Sequence, residues 1–484
     1  MAVITMSNSL SSRERRFVHI FVLTLAICFS PFKPLAALVP FIFIAGLVFY
    51  AGISSVNHLL KYAMVLMSFA GVSLIYFLII PDFDLINALL FLVTAGSFLV
   101  LFYDLRSVAT VALLRRISVV ALIFLLFESL VGTMQGIIAF LRNGTFDGFN
   151  GDFVRGTIDP LLTAAPAASS VMFALLLSTL LILLFSTSPV RPSPVRLATL
   201  GIGLVAWLLT STMHMIFFFS IAAVVGLILM MRLVWTIRWS RWRSSGFLAL
   251  AGILICGGLL AFTLMPNNLR QTPNYLRLTF ELRPDSQSEK VRATYNTLFL
   301  LPQEVPIQPL IGLGPGQYSS RASIIRSGQY LMGGRLPLSD HAHPLAQSYI
   351  LSEWQSFLNI RQYSSSTFFP FYSWLSTYGE FGWMGVAGVV TLILLALRTF
   401  RRTRSAEFPR LNLAMTILLL YVALLGVQDN YWEIAQAIFP AFLILRVGYS
   451  YLDRCRRGAE YLVPEATTGR TTFNQAGLVH TVKP

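Results

Sequence analysis

The chain has 484 residues, of which 56% are hydrophobic and 12% charged, with a formal net charge of +15. Charged residues at about half their usual frequency exclude a string of soluble domains of this total length. The three cysteines, Cys28 and Cys256 in apolar runs and Cys455 in a basic tail, exclude a disulfide framework or thiolate metal site.

Taken in chain order, Arg13, Arg15 and Arg16 precede a first apolar run over 17–31. Leu25-Ala26-Ile27-Cys28 approaches a lipoprotein cleavage site, but Ile27 is too bulky before the cut and apolar runs follow at once, so this run reads as a retained anchor. Further runs of about 17 to 25 residues fall near 35–52, 62–80, 85–103, 118–141, 161–187, 197–212, 214–231, 246–264, 372–397, 411–427 and 432–449. They predict an all-α polytopic membrane protein with about 12 transmembrane helices. The stretch 197–231 is too long for one span and breaks at Thr210-Ser211-Thr212, with His214 beyond. Within span five, Glu128 lies near the bilayer centre, with Gln135 two turns later on the same face. An ionisable group at that depth marks either function or a structural pair with His214 or an arginine.

Alternating the connections with both termini in the cytoplasm leaves only Lys33, Arg142 and Arg155 in short outer loops. Arg115-Arg116, Arg238/Arg241/Arg243 and Arg398/Arg401/Arg402/Arg404 then all lie inside. The net charge is thus chiefly a topology signal. Spread over separate loops beside a membrane, it does not make a nucleic-acid surface. The resulting division is 1–264 (spans one to nine), 265–371 (one long periplasmic loop), 372–450 (spans ten to twelve) and 451–484, an aperiodic cytoplasmic tail that reads as disordered.

The long loop is where chemistry is expected. Val291, Tyr295, Leu298 and Phe299 recur at helical spacing, which predicts an amphipathic helix over 288–300 lying on the membrane, with Glu289, Arg292 and Asn296 on its polar side. From periodicity alone, that polar side is a solvated face. Gly312, Gly314 and Gly316 with Pro315 form a tight turn whose N–H groups suit an anion, and Tyr318 follows. Arg321, Arg326 and Arg335 add guanidinium forks of the kind that fit phosphate oxygens. No Walker-type Lys-Ser/Thr ending is present. In Ser339-Asp340-His341-Ala342-His343-Pro344, extended backbone would put His341 and His343 on one side. They are candidates for a general base, a phosphate ligand or, with Asp340, a metal ligand. Asp429 and Glu433 sit at the outer edge of the last spans.

Two of these stretches and the topology together resemble the bacterial O-antigen ligase and Wzy-type polysaccharide polymerase superfamily. That family shows an Arg followed somewhat under twenty residues later by Pro-Leu-x-Gly-x-Gly-Pro-Gly-x-Tyr/Phe, matched here by Arg292 and Pro309–Tyr318. It also shows a Leu and then Glu-x-Gly-x-x-Gly, matched by Leu375 and Glu380–Gly385, and a single long periplasmic loop late in the chain. The ligase His-Asn pair is replaced by Phe371 and Tyr372, and an expected Ser-Arg pattern by Ser211-Thr212-Met213-His214. The lost histidine favours the polymerase branch. The resemblance implies glycosyl transfer at the outer face of the inner membrane, from a polyprenyl-diphosphate-linked oligosaccharide to a lipid-linked repeat unit. It implies Arg292 for the diphosphate with Arg321, Arg326 and Arg335 as helpers, and His343, His341 or Glu380 as the base. No metal or other cofactor is required if arginines carry the charge. The implied partners are membrane lipids, a chain-length-regulating co-polymerase and a flippase. A ligase moving finished polymer is the alternative within the fold. A transporter or flippase is the alternative of a different class, although the nine-plus-three arrangement shows none of the related halves common there.

Overall fold

The computed structural model describes residues 10–52, 56–143, 154–159, 166–189, 192–210, 212–236, 288–328, 341–359, 369–403, 405 and 407–461. The expected ninth run, Arg335 and the distal tail lie outside the described residues. Every regular element among the described residues is helical. The longer helices are α1 Ser12–Cys28, α2 Val56–Ile79, α3 Leu85–Thr94, α4 Val111–Asn143, α5 Pro166–Ser186, α6 Pro194–Leu209 and α7 Met213–Thr236. The polar segment contributes α8 Glu289–Tyr295, α9 Arg321–Arg326 and α10 Ser352–Asn359, followed by α11 Ser373–Arg402, α12 Leu411–Leu425 and α13 Ala435–Tyr461.

Local chemistry sets several boundaries. Ser11 and Glu14 form a reciprocal capping box, so α1 begins before its apolar run and takes Arg13, Arg15 and Arg16 into its first turns. Asp84 caps α3 by accepting from the Ile86 N–H at 2.7 Å. Ser193 caps α6, with Pro194 in the first turn.

Five helical stretches are long and apolar enough to cross a membrane: Leu60–Ile79, Val111–Arg142, Ser169–Ser186, Ser373–Arg402 and Ala435–Arg457. A sixth arises if α3 and the following 3₁₀ turn Gly96–Phe102, bent by 62°, are taken as one broken span. Val39–Tyr50, α6, His214–Met230 and α12 are apolar but shorter. The expected uniform series of spans is therefore uneven. Pro40 opens a new helix after a break at Leu38, and the run over 85–103 bends at Ala95.

Burial separates centre from periphery. Some 89% of the Ser169–Ser186 and Ala435–Arg457 windows is buried, against 11% for Leu60–Ile79 and Ser373–Arg402. On these last two, Met67, Phe77, Leu78, Leu394 and Leu395 point outward uncovered. Apolar exposure on this scale suits an apolar surrounding and not water, as in a membrane protein.

Polar contacts collect at the two ends of the bundle. At one end Thr110 donates to Glu14, Arg115 pairs with Glu407 at 2.9 Å, and Asp453 faces Arg106, Arg456 and Arg457. At the other, the Gln436 amide reaches the Cys28 and Ser30 carbonyls, and the Thr157 hydroxyl donates to Phe29. This second end also carries the 288–328 and 341–359 segments, which pack onto residues 81–87 and 427–433.

Candidate functional site

The glycine turn and the Glu-x-Gly-x-x-Gly stretch meet and interlock. Helix α11 is interrupted at Gly382, whose φ of 59° and ψ of −157° break the i to i+4 ladder and strip the carbonyls just before it of helical donors. Residues of the turn replace those donors. The Leu313 N–H donates to the Gly379 carbonyl at 2.9 Å and the Gly314 N–H to that of Glu380 at 2.8 Å; the Gln308 amide reaches Tyr378 at 3.4 Å. Gly312, Gly314 and Gly316 all have positive φ, at 80°, 95° and 80°. A Cβ on Gly312 would stand 2.1 Å from the Glu380 carbonyl carbon, and one on Gly382 would stand 2.4 Å from that of Leu310. Only glycine permits this backbone-to-backbone approach at that conformation.

The acceptor that the turn's N–H groups meet is internal. The fully buried Glu380 carboxyl accepts from the N–H groups of Gly316 at 2.9 Å, Ser320 at 3.1 Å and Tyr318 at 3.4 Å. Tyr318 is fully buried, packs over Gly379, and shares a 2.9 Å hydrogen bond with Thr297. Gly312, Gly314, Gly316, Tyr318 and Glu380 thus form one sealed body; as they stand, the glycines present no open phosphate cradle.

The arginines divide in a similar way. Arg321 and Arg326 are buried, contrary to their expected role as outward forks. Arg326 donates to Asn87 at 2.8 Å and pairs with Asp84 at 2.7 Å. Arg321 donates from its backbone to Glu433 at 2.7 Å and from Nε to the Asn430 carbonyl at 3.3 Å, with Asp429 3.9 Å from Nη2. Burial raises the Glu433 carboxyl above the usual carboxylate range. Beside it, Lys290 donates to the Gln428 and Val427 carbonyls at 2.6 and 3.2 Å and lies over the Tyr372 ring. Burial brings its pKa down to about 7, with Asp429 opposing.

Arg292 is different. Its Nε and Nη2 both reach one oxygen of Glu353, at 2.8 and 2.7 Å, while Glu289 stands 3.5 Å away. The Arg292 side chain is 23% exposed and that of Glu353 15%, so this pair opens partly to the surroundings, unlike the fully buried Glu380. Burial acts against the Arg292 charge, but Glu353 and Glu289 outweigh it and raise the pKa. The expected amphipathic helix exists as α8 continuing into a π-helical turn over Asn296–Leu300, with its faces changed: Glu289 and Lys290 are buried, and Phe299 is 47% exposed. On the side that periodicity assigned to water Glu289 is covered by protein while Arg292 stays partly open, and Lys290 turns inward onto the Val427 and Gln428 carbonyls. Another π turn of the polar segment, Gln347–Leu351, leads into α10 and Glu353, and the Asn296 amide reaches the Tyr349 carbonyl between the two turns at 3.5 Å.

His343 caps the helix that begins at Pro344. Its Nδ1 accepts from the Leu345 N–H at 3.2 Å, which leaves Nε2 to donate to the Pro81 carbonyl at 3.1 Å. Both ring nitrogens are engaged, and burial lowers the pKa, against the pull of the Pro81 bond and Asp82. His341 is exposed; its backbone ties to Arg326 and Asn87. The two histidines therefore differ in role although the spacing placed them together. Among the described residues, no three His, Cys, Asp or Glu gather in a metal-binding group.

Among the described residues, Glu128 pairs with neither His214 nor an arginine. Glu128 accepts from the Thr157 N–H at 3.0 Å and hydroxyl at 2.5 Å, and Gln135 bonds to the backbone of Arg155 and Gly156. Together they pin the buried segment 154–159 against α4. Sequence reasoning missed Glu353 and Lys290: Glu353 lies 61 residues from Arg292 in an unremarkable Ser-Glu-Trp context, and only folding reveals the pairing. No family model matches this chain, and no curated protein matches it.

Proposed function

We propose that this protein is a polysaccharide polymerase of the bacterial inner membrane. It would transfer polyprenyl-diphosphate-linked glycan onto a lipid-linked repeat unit at the outer face, with about twelve spans and both termini cytoplasmic. The observation that carries this reading is the union of the two family-like stretches, Pro309–Tyr318 and Glu380–Gly385, into one rigid body beside the half-open Arg292–Glu353 pair. Separate coincidences of sequence would have no reason to meet at the same end of the molecule.

The transfer needs a cation for the departing diphosphate and a base for the attacking hydroxyl. Arg292 is the described arginine of the motif region whose side chain is partly exposed, so it takes the first role. Among the named bases, Glu380 is sealed and both His343 nitrogens are engaged, which leaves His341 as the exposed candidate.

Deletion followed by analysis of lipid-linked glycans tests the reading. Single repeat units on the outward-facing carrier are expected. Long polymer stranded on the carrier would point to the ligase, and unflipped repeats facing the cytoplasm to a flippase. Topology is checked separately: a reporter fused after Gln308 is expected outside and one after Arg402 inside. A cytoplasmic reporter at Gln308 sinks the assignment.

A further inference from the structure

Two lipid-exposed helices end their exposed stretches at the same level, and an apolar rim of the polar segment lies at that level. In α11 every residue from Leu375 to Gly382 is buried or half-buried, and from Trp383 the character reverses. Trp383, Met384, Val390, Leu392, Leu394 and Leu395 are all at least 39% exposed. From Trp383 to Arg398 the helix rises about 22 Å at about 1.5 Å per residue, approaching the ~30 Å hydrocarbon core once an arginine reaches outward at its far end. The part of Ser373–Arg402 that faces lipid therefore begins at the Gly382 break, and the polar turns before it are covered by protein.

Helix α2 gives an independent marker. Phe77, Leu78 and Ile79 are exposed in its last turn, Ile80 is buried, and the hydroxyl of Tyr76 in the same turn donates to the Ile311 carbonyl. Leu310 and Ile311 also abut Gly382. Both helices thus terminate their lipid-facing surface against one dipeptide. On the same stretch of chain Phe299, Ile307 and Leu310 are 47%, 41% and 58% exposed, and the Leu310 backbone abuts Gly382, next to Trp383, itself 58% exposed. The Trp383 ring meets Tyr378 edge-on at 5.2 Å, an aromatic pair of the kind that settles at membrane interfaces.

We propose that the boundary of the hydrocarbon core runs through Ile311 and Gly382, and that Phe299, Ile307 and Leu310 are inserted among the lipid acyl chains just inside it. The occupant of this rim is the bilayer itself. The inference rests on the chain spanning a membrane, not on the reaction proposed above, and holds whichever side this end faces. Its consequence is that the sealed glycine body is seated at the membrane surface.

The experiment uses the full chain in nanodiscs of phosphatidylethanolamine and phosphatidylglycerol, with a nitroxide at Leu310→Cys, Ile307→Cys or Phe299→Cys. Gln347→Cys, exposed on the helix that follows His343, is the reference. Power saturation should show the three rim sites more accessible to oxygen than to a nickel chelate, and Gln347 the reverse. A bimane at the rim sites should be quenched at least about twofold by lipids brominated near the carbonyl end of the chain. Each labelled protein is first required to unfold within a few degrees of the unlabelled one. Because three rim sites are tested, failure of one to fold leaves the others. Nickel-chelate access at the folded rim sites equal to that at Gln347, or absence of bromolipid quenching, overturns the proposal.

Discussion

The glycine body around Glu380 and the Arg292–Glu353 pair lie in the same polar segment and are built on opposite principles. In the first, a buried carboxyl receives three backbone donors, and glycines allow two main chains to come within what would be a side-chain radius of each other. In the second, a guanidinium and a carboxylate meet across two short helices with part of their surface open. The most conspicuous motif is therefore closed on its own partners, and a partly open ion pair stands beside it. A glycine-rich, anion-ready turn can be an answer to a break in a helix as easily as a ligand cradle, and the deciding fact is what its N–H groups already hold.

The largest test of that contrast is Gly312→Ala. Its Cβ would overlap the Glu380 backbone at a φ of 80°, so a loss of about 3 kcal/mol or more is expected, read as failure to accumulate folded protein in detergent. Glu380→Gln is milder. It puts an amide where three donors need an acceptor, and about 1–3 kcal/mol should be lost in thermal unfolding. Unchanged stability together with abolished polymer synthesis would reverse the comparison and give Glu380 a chemical role.

Arg292→Ala should act on rate more than on stability. If the guanidinium stabilises the departing diphosphate, roughly 2–4 kcal/mol of transition-state stabilisation goes, about a hundredfold or more in extension of lipid-linked repeats by purified protein. Arg292→Lys should recover only part, lacking the planar fork. The unfolding midpoint should move little, since a partly exposed pair contributes about 1 kcal/mol or less. Normal extension by Arg292→Ala would make the pair scaffold.

Lys290 sharpens the picture through pH. Its folded pKa, near 7, lies below the ordinary 10.5, so the unfolded chain binds more protons between those values. Stability should therefore rise as pH goes from about 7 toward 10.5, and level off below 7, where both states hold the proton. Lys290→Met should flatten this slope in detergent unfolding curves; an unchanged slope assigns it to another group. The smallest effect is expected at His343→Asn, which keeps an N-cap acceptor. Activity should stay within about twofold and stability within about 1 kcal/mol, whereas a thousandfold loss of activity would restore the histidine as a base.

Composition and apolar run length determined that the chain is helical and suited to a membrane, because transfer of a residue out of water depends on its own side chain and on its neighbours along one helix. The glycines were legible too, since their positive φ is a local demand. What only the tertiary structure decided is which charges are spoken for. Glu380, Arg321 and Arg326 looked available and are buried with partners, Glu128 holds a neighbouring backbone segment, and His343 caps a helix while His341 stays exposed. The partners lie tens to hundreds of residues away, and whether a charge faces water, lipid or another charge depends on that pairing in space, which no spacing along the chain encodes.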